Sequence, residues 1–157
     1  MLKSTILIQV SCDTLRFFSS IFVNVLGQWN YIASMEVARI GIGVGDHNGL
    51  LYAIGGKAGD HAEFANEYLN LVEYYNPDTD SWTRVADINF PRANAKVVSF
   101  NGCLHVLGGY GARGQILDSV EVYCPQSDTW TVVTDPGYKI SSIVGKVDII
   151  SKCDVTL

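Results

Sequence analysis

Tryptophan, glycine and proline recur along this chain at two fixed offsets, and that recurrence constrains the fold more than any other feature. Trp29 and Trp82 lie 53 residues apart, as do Arg39 and Arg92, Gly49 and Gly102, and the pairs Gly55-Gly56 and Gly108-Gly109. A second set recurs at 48: Val72-Glu73 with Val120-Glu121, Pro77 with Pro125, Trp82 with Trp130. The two offsets differ by five residues, all of them between the Gly-Gly pair and the Val-Glu pair. One repeat therefore carries a longer loop there. Chance does not align so many Trp, Gly and Pro residues at two spacings.

Each unit reads as four short strands. Ile42 to Asp46 and Leu50 to Ile54 flank Asn48-Gly49, and Val97 to Phe100 and Leu104 to Leu107 flank Asn101-Gly102. Asn-Gly supplies the positive φ that both central positions of a type I′ turn require, so each marks a hairpin. A second hairpin follows, Val72 to Tyr75 through Asn76-Pro77-Asp78-Thr79-Asp80 into Ser81 to Val85. Its counterpart runs Val120 to Tyr123, through Cys124-Pro125-Gln126-Ser127-Asp128, into Thr129 to Val133. Pro and Asp fix the φ values of such turns and close them with side-chain hydrogen bonds. Two tandem hairpins make an antiparallel four-stranded meander. Meanders repeating every 50 residues or so are propeller blades, each needing a neighbour to cover its faces. The expected fold is all-β, a partial propeller with two complete blades, Ile40 to Ala86 and Ala93 to Val133.

The flanks differ from the repeats. Residues 1–27 are apolar but interrupted by Lys3, Asp13 and Arg16, and the uncharged run from Phe17 to Met35 carries Ser, Asn, Gln and Gly. That is a poor membrane span, and Ile6-Leu7-Ile8 breaks at Gln9, too short for the apolar region of a signal peptide. The expected division is 1–27 as a leader outside the repeat, 28–136 as the repeats, and 137–157 as a divergent tail with room to start a further blade. Trp29 then marks a last strand whose first three strands are missing. The 157 residues carry 11 Lys and Arg against 16 Asp and Glu, a net charge of −5. Without a basic cluster the chain is a poor nucleic-acid binder. Four cysteines with no C-x-x-C pair argue against zinc and against a secreted disulfide framework, and the expected compartment is cytoplasmic.

Topology locates a candidate binding rim. In a meander the first and third turns lie at one end of the blade, and here they are short and structural. The other end holds the pieces of variable length: Lys57 to Tyr68, Tyr110 to Leu117, and the crossovers that carry Arg39 and Arg92. Loops on a rigid scaffold are where recognition usually lives. Arg39, Lys57, Arg92 and Arg113 are expected on this rim with His61 and Tyr110 beside them, a set suited to acidic or polar peptides. Asp60, Glu63 and Glu67 offset the positive charge. An equally available reading is that the arginines only tie the crossovers down or face water.

Leu51-Tyr-Ala-Ile-Gly-Gly followed by Val72-Glu-Tyr-Tyr-Asn-Pro-Asp-Thr-Asp-Ser-Trp82 resembles the kelch motif. So does Leu104-His-Val-Leu-Gly-Gly-Tyr110 followed by Leu117 to Trp130. Arg39-Ile-Gly-Ile-Gly-Val and the Gly-Gly-Tyr110 loop are most similar to the BTB-kelch group of substrate adaptors. That resemblance implies a six-bladed propeller that captures proteins for a cullin-3 ubiquitin ligase, with an Arg at the Arg39 position and a Tyr at the Tyr110 position lining the pocket. Two departures stand out. No BTB or BACK segment precedes the repeats, so a cullin-3 contact has no carrier in this sequence. Arg92 is followed by Ala-Asn-Ala-Lys, so Asn94 and Lys96 replace two glycines of the first repeat. The chain reads as a truncated gene product, a short isoform or a degenerate paralogue.

The remaining signals have plainer explanations. Gly41-x-Gly43-x-Gly45 leads into a hairpin rather than a helix, so it fails as a phosphate loop, and crowding of an innermost strand explains it. Asp60-His61-x-Glu63 is the one metal-like cluster, and it reads as solvated loop. No cofactor, catalytic group or metal site is expected. The expected function is protein binding without enzymatic activity. An actin-binding role and a fragment with no independent function are the alternatives.

Overall fold

The computed structural model describes residues 8–12, 19–25, 28–58 and 67–133, with side chains from residue 30 onward. The backbone is almost wholly extended. Two four-stranded antiparallel sheets occupy the two repeats. The first is built from β5 (Gly43–His47), β6 (Leu50–Ile54), β8 (Val72–Asn76) and β9 (Ser81–Arg84), in that order. The second is built from β10 (Lys96–Phe100), β11 (Cys103–Leu107), β12 (Val120–Cys124) and β13 (Thr129–Val133). Asn48-Gly49 and Asn101-Gly102 turn the inner hairpins with φ positive at all four residues, as a type I′ turn requires. These sheets are the two expected blades of a partial kelch-type propeller.

A third sheet precedes them. β1 (Ile8–Cys12), β2 (Ser19–Val25) and β3 (Gln28–Tyr31) form an antiparallel meander, with Asn24 opposite Trp29 and Val25 opposite Gln28. The same Trp position pairs with Tyr75 in the first blade and Tyr123 in the second. The division expected after residue 27 therefore falls inside a sheet, and the Trp29 strand has two strands before it rather than none. The β-branched residues of Ser-Ser-Ile-Phe-Val-Asn-Val suit an extended strand better than a leader. The tail from residue 137 onward lies outside the described residues.

The core fills the space between the two blades. Tyr52, Ile54 and Val72 of the first meet Leu104, Val106 and Tyr123 of the second, with Ile88 of the crossover between them. Tyr52 sits 5.6 Å from Tyr74 and 5.9 Å from Tyr123, ring centre to ring centre. Near the inner strands the blades approach so closely that a Cβ on Gly45 would lie 2.5 Å from Val97 Cγ1. This contact accounts for the glycines of the inner strand, as crowding predicts. A smaller cluster of Met35 and Ala53, with Ile32, Ile42 and Trp82, packs the crossover that follows β3.

Each crossover is stapled to the outer hairpin of the blade it enters. Ala33 N–H donates to Asp80 Oδ1 (2.9 Å), and Trp82 Nε1 donates to the Ala33 carbonyl (2.7 Å). The second blade repeats both bonds, from Ala86 N–H to Asp128 (2.9 Å) and from Trp130 to the Ala86 carbonyl (2.8 Å). Tyr75 and Tyr123 donate to the same two carboxylates at 2.8 Å. These bonds hold Asp80 below its ordinary carboxylate range, the Ala33 amide first and the Tyr75 hydroxyl second. Burial and the bond to Asp80 push Tyr75 up to about 12.

Candidate functional site

At the end of each blade opposite the Asn-Gly turns, the chain builds a small ladder. In the first repeat, β4 (Arg39–Ile40) pairs with β7 (Lys57–Ala58), and Lys57 pairs in turn with Tyr68. In the second, Ala93 pairs with Tyr110 and Tyr110 with Ile116. Lys57 and Tyr110 are thus equivalent positions, each the residue after Gly-Gly. Each ladder joins a crossover to the loop between the second and third strands of its blade.

The loop of the second repeat is a closed hairpin. Leu117 N–H donates to Gly109 O (2.9 Å), Gly111 N–H to Gln115 O (2.8 Å), and Gly114 N–H to Gly111 O (3.1 Å). Arg113 sits at the tip with φ 59°, ψ 21°, exposed. Tyr110 at the base is 45% exposed, and Ile116 across from it is 74% exposed. Ile40 on the first ladder is 40% exposed. The Lys57 ammonium lies 5.8 Å from the centre of the Tyr68 ring, a cation–π pairing across the first ladder. His61 lies outside the described residues. Tyr68, Ile40 and Ile116 were not singled out from the sequence. Their only signal is position, each lying opposite or beside a rim residue in the repeat register.

Arg39 and Arg92 are elsewhere. Both are fully buried. Arg39 Nη2 donates to Glu73 Oε2 (2.7 Å) and Nη1 to the Leu71 carbonyl (2.9 Å). Arg92 Nη2 donates to Glu121 Oε1 (2.8 Å) and to Ser119 Oγ (3.0 Å), and its Nη1 reaches the carbonyls of Gly108 (2.9 Å) and Ser119 (3.1 Å). The glutamates also receive the crossover backbone: Glu36 N–H reaches Glu73 at 3.3 Å, and Asn89 and Phe90 N–H reach Glu121 at 2.7 and 3.0 Å. Desolvation lowers both guanidinium pKa values, and the facing glutamate opposes it in each case. The rim assignment of these two arginines is therefore corrected. They tie the crossovers down, which was the other reading of the sequence. The reason is the strand pleat: neighbouring side chains point to opposite sides, so Arg39 faces in and Ile40 faces out.

The Gly-Gly pairs bring the backbone close to this anchor. Gly56 N–H donates to the Arg92 carbonyl at 2.8 Å, and a Cβ on Gly55 would stand 2.3 Å from that oxygen. Arg92 N–H returns a bond to Leu69 O (3.2 Å), and Ile88 N–H one to Asn70 O (3.0 Å). The crossover thus adds itself to the first blade's rim before its arginine anchors in the second. Asn94 takes φ 55° at the position where Gly41 has φ 64°, so the replaced glycine keeps its conformation. Among the described residues, no group of three His, Cys, Asp or Glu side chains could hold a metal ion, and no helix is long and apolar enough to cross a membrane.

The kelch motif family matches residues 38–89 and again 91–137, together well over half of the chain. An F-box/kelch-repeat protein of Arabidopsis thaliana is 36% identical over 84 residues, which is 54% of this chain and 21% of that protein. The influenza virus NS1A-binding protein of Homo sapiens is 38% identical over 78 residues, 50% of this chain and 11% of that one. Kelch-like ECH-associated protein 1B of Danio rerio is 35% identical over 83 residues, 53% and 14% of the two chains. The chain thus spans between 11% and 21% of the length of these relatives. Among solved structures, that of YjhT superposes with a TM-score of 0.61 over 71% of this chain and 44% of that one, at 17% identity, a likeness of fold alone. With two motif matches lying on the two four-stranded sheets, the chain belongs to the kelch-repeat family.

Proposed function

We propose that the chain is a protein-binding module, part of a kelch propeller that presents its loop-bearing rim to an acidic or polar peptide. One observation carries the reading. Tyr110 and Arg113 are exposed on a hairpin whose backbone is bonded at its base and near its tip, next to a buried anchor that holds the frame still. A rigid aromatic surface with a guanidinium at its edge suits a carboxylate-bearing peptide. Lys57 at the equivalent position of the first repeat adds a second cation, and His61 belongs to the longer loop beside it.

In the whole protein this module is the substrate-recognition domain of a cullin-3 ubiquitin ligase adaptor in the cytoplasm. The similarity to Kelch-like proteins supports that finer assignment. The F-box/kelch-repeat relative shows the same repeats in a protein of another description, so the adaptor role needs its own test. Anisotropy titration of labelled Glu- and Asp-rich peptides against the purified chain tests the binding role. The expected result is saturable binding that weakens about tenfold or more on Tyr110→Ala or Arg113→Glu. Unchanged binding in both variants refutes the rim. Co-sedimentation with actin filaments, unaffected by those substitutions, would favour the cytoskeletal reading instead.

A further inference from the structure

Cys103 opens β11 and Cys124 closes β12, and the register of these strands sets the two residues face to face. Leu104 pairs with Tyr123, so one step outward Cys103 stands opposite Cys124. Residues directly opposite in an antiparallel ladder point to the same face. The bond from Gly108 N–H to Ser119 O (3.1 Å) marks a hydrogen-bonded pair on the same ladder. Such pairs alternate with non-hydrogen-bonded ones, and five steps along, the Cys103–Cys124 pair is of the second kind. The neighbouring hairpin agrees: Cys103 directs its backbone groups toward Phe100 across the two-residue Asn-Gly turn, away from β12. Non-hydrogen-bonded pairs bring Cα atoms to about 4.5 Å, inside the range of about 4.4–6.8 Å that disulfides span.

Nothing in the repeat calls for cysteine here. The same two positions of the first blade hold Leu50 and Asn76. Both thiols are half-buried on the face of the second blade turned away from the first. Their surroundings differ. Cys124 begins the Pro125–Asp128 turn, where its Sγ lies 3.0 Å from Gln126 Oε1 and its carbonyl receives Ser127 N–H at 3.3 Å. The Ser127 hydroxyl and amide hold the Cys124 thiol below its ordinary range, whereas burial, and then the charge of Cys124, push Cys103 up. The thiolate form, which is the nucleophile, thus falls to Cys124.

We propose that Cys103 and Cys124 are a redox pair that closes to a disulfide when the protein meets a hydroperoxide. The Cys124 thiolate attacks the terminal peroxide oxygen. The O–O bond breaks, the departing oxygen leaves as water or an alcohol, and Cys124 becomes a sulfenic acid. Cys103 Sγ then attacks Cys124 Sγ; the S–O bond breaks, and the hydroxyl leaves as water with the Cys103 proton. Two thiols and one hydroperoxide give a disulfide, with the two electrons ending on the peroxide oxygens. A small dithiol reverses the reaction by exchange. The new bond joins the first-hairpin turn to the second-hairpin turn of one blade, at the end opposite the rim.

The test is hydrogen peroxide treatment of the full chain, alkylation of the remaining thiols, proteolysis and mass spectrometry. The expected result is a linked pair of peptides carrying Cys103 and Cys124, lighter by two hydrogens and separated again by dithiothreitol. Cys103→Ser is expected to leave Cys124 as a sulfenic acid trapped by dimedone. Cys124→Ser is expected to slow peroxide consumption about tenfold or more. The double variant Cys103→Leu/Cys124→Asn, which reproduces the pair of the first blade, keeps the blade folded and gives no link. A link to Cys12 or Cys153, a link only between chains in a mixed-isotope sample, or Cys124 running on to sulfinic acid while Cys103 is still alkylated would overturn the proposal.

Discussion

Arg92 and Glu121 stand 2.8 Å apart with both side chains sealed from solvent, and this pair fastens the crossover to the third strand of the second blade. Removing one partner strands a charge in the interior, so Glu121→Ala is expected to cost about 3–5 kcal/mol. Apolar replacement of both partners often recovers such a loss. Here it is not expected to, because Arg92 also serves the carbonyls of Gly108 and Ser119, and Glu121 also serves the amides of Asn89 and Phe90. The Gly108 carbonyl and the two amides would lose these bonds, while the Ser119 carbonyl would keep only its bond from the Gly108 amide. Urea unfolding of Glu121→Ala and of Arg92→Met/Glu121→Leu checks this; recovery to wild-type stability in the double variant would contradict it.

Two glycines with similar backbone angles separate conformational strain from close approach. Gly49 has φ 80° and nothing within 4 Å of an added Cβ, so Gly49→Ala is expected to cost only the left-handed penalty of about 1–2 kcal/mol. Gly55 has φ 60° and the Arg92 carbonyl 2.3 Å from an added Cβ. Gly55→Ala must push the crossover away as well, and its cost is expected to exceed that of Gly49→Ala by about 1–3 kcal/mol. Equal melting midpoints for the two variants would show that the crossover yields freely.

The repeat made the fold legible because its recurring Gly-Gly pairs sit at positive φ, and Asn48-Gly49 and Asn101-Gly102 turn as their chemistry dictates. The recurring Trp and Tyr likewise signalled packed positions. Glu73 and Glu121 recurred too, each a fixed step after Val, yet a carboxylate in a strand gives no hint of what it pairs with. The arginine partners lie 34 and 29 residues earlier, the five-residue difference being the longer loop. That shared shift was the available signal that Arg39 and Arg92 are structural. The sheet formed by Ile8–Cys12 and Ser19–Val25 escaped because the sequence between its strands carries neither Asn-Gly nor Pro. Residues 59–66, with His61, lie outside the described residues.

The crossover staple titrates at both ends of the pH range. Asp80 is held below its ordinary value, so its contribution to stability is present above about pH 4, where the unfolded carboxylate ionises, and fades as pH falls through the lower folded value. Tyr75 is raised to about 12, so its contribution is present below the unfolded value of about 10 and fades as pH rises from there through about 12. Protection of the Ala33 amide from hydrogen exchange, taken relative to its intrinsic rate at each pH, is expected to fall on acidification below the carboxylate range and again above pH 10. Asp80→Asn keeps a side-chain oxygen for that amide but has no carboxylate to protonate. Its acid limb is therefore expected to be flat, and an acid limb like that of the wild type would assign the effect to another group.

Burial and exposure divide four residues of the expected rim, Arg39 and Arg92 from Tyr110 and Arg113, and that division gives a test independent of any ligand. Tyr110 and Arg113 contribute side chains to solvent on a hairpin that the backbone of Gly109, Gly111, Gly114, Gln115 and Leu117 closes, so Tyr110→Ala and Arg113→Glu are expected to change unfolding free energy by less than about 0.5 kcal/mol. Arg39→Ala and Arg92→Ala are expected to cost about 3–5 kcal/mol each, because each leaves a glutamate buried and unpaired. Binding should divide the other way. With the folded fraction of each variant measured in the same buffer, the two exposed substitutions weaken peptide capture and the arginine variants bind in proportion to their folded fraction. A loss of binding by Arg92→Ala beyond its loss of folded protein would mean that the guanidinium leaves Glu121 to reach the ligand, and the buried pair would then be one state of a switch rather than a fixed anchor.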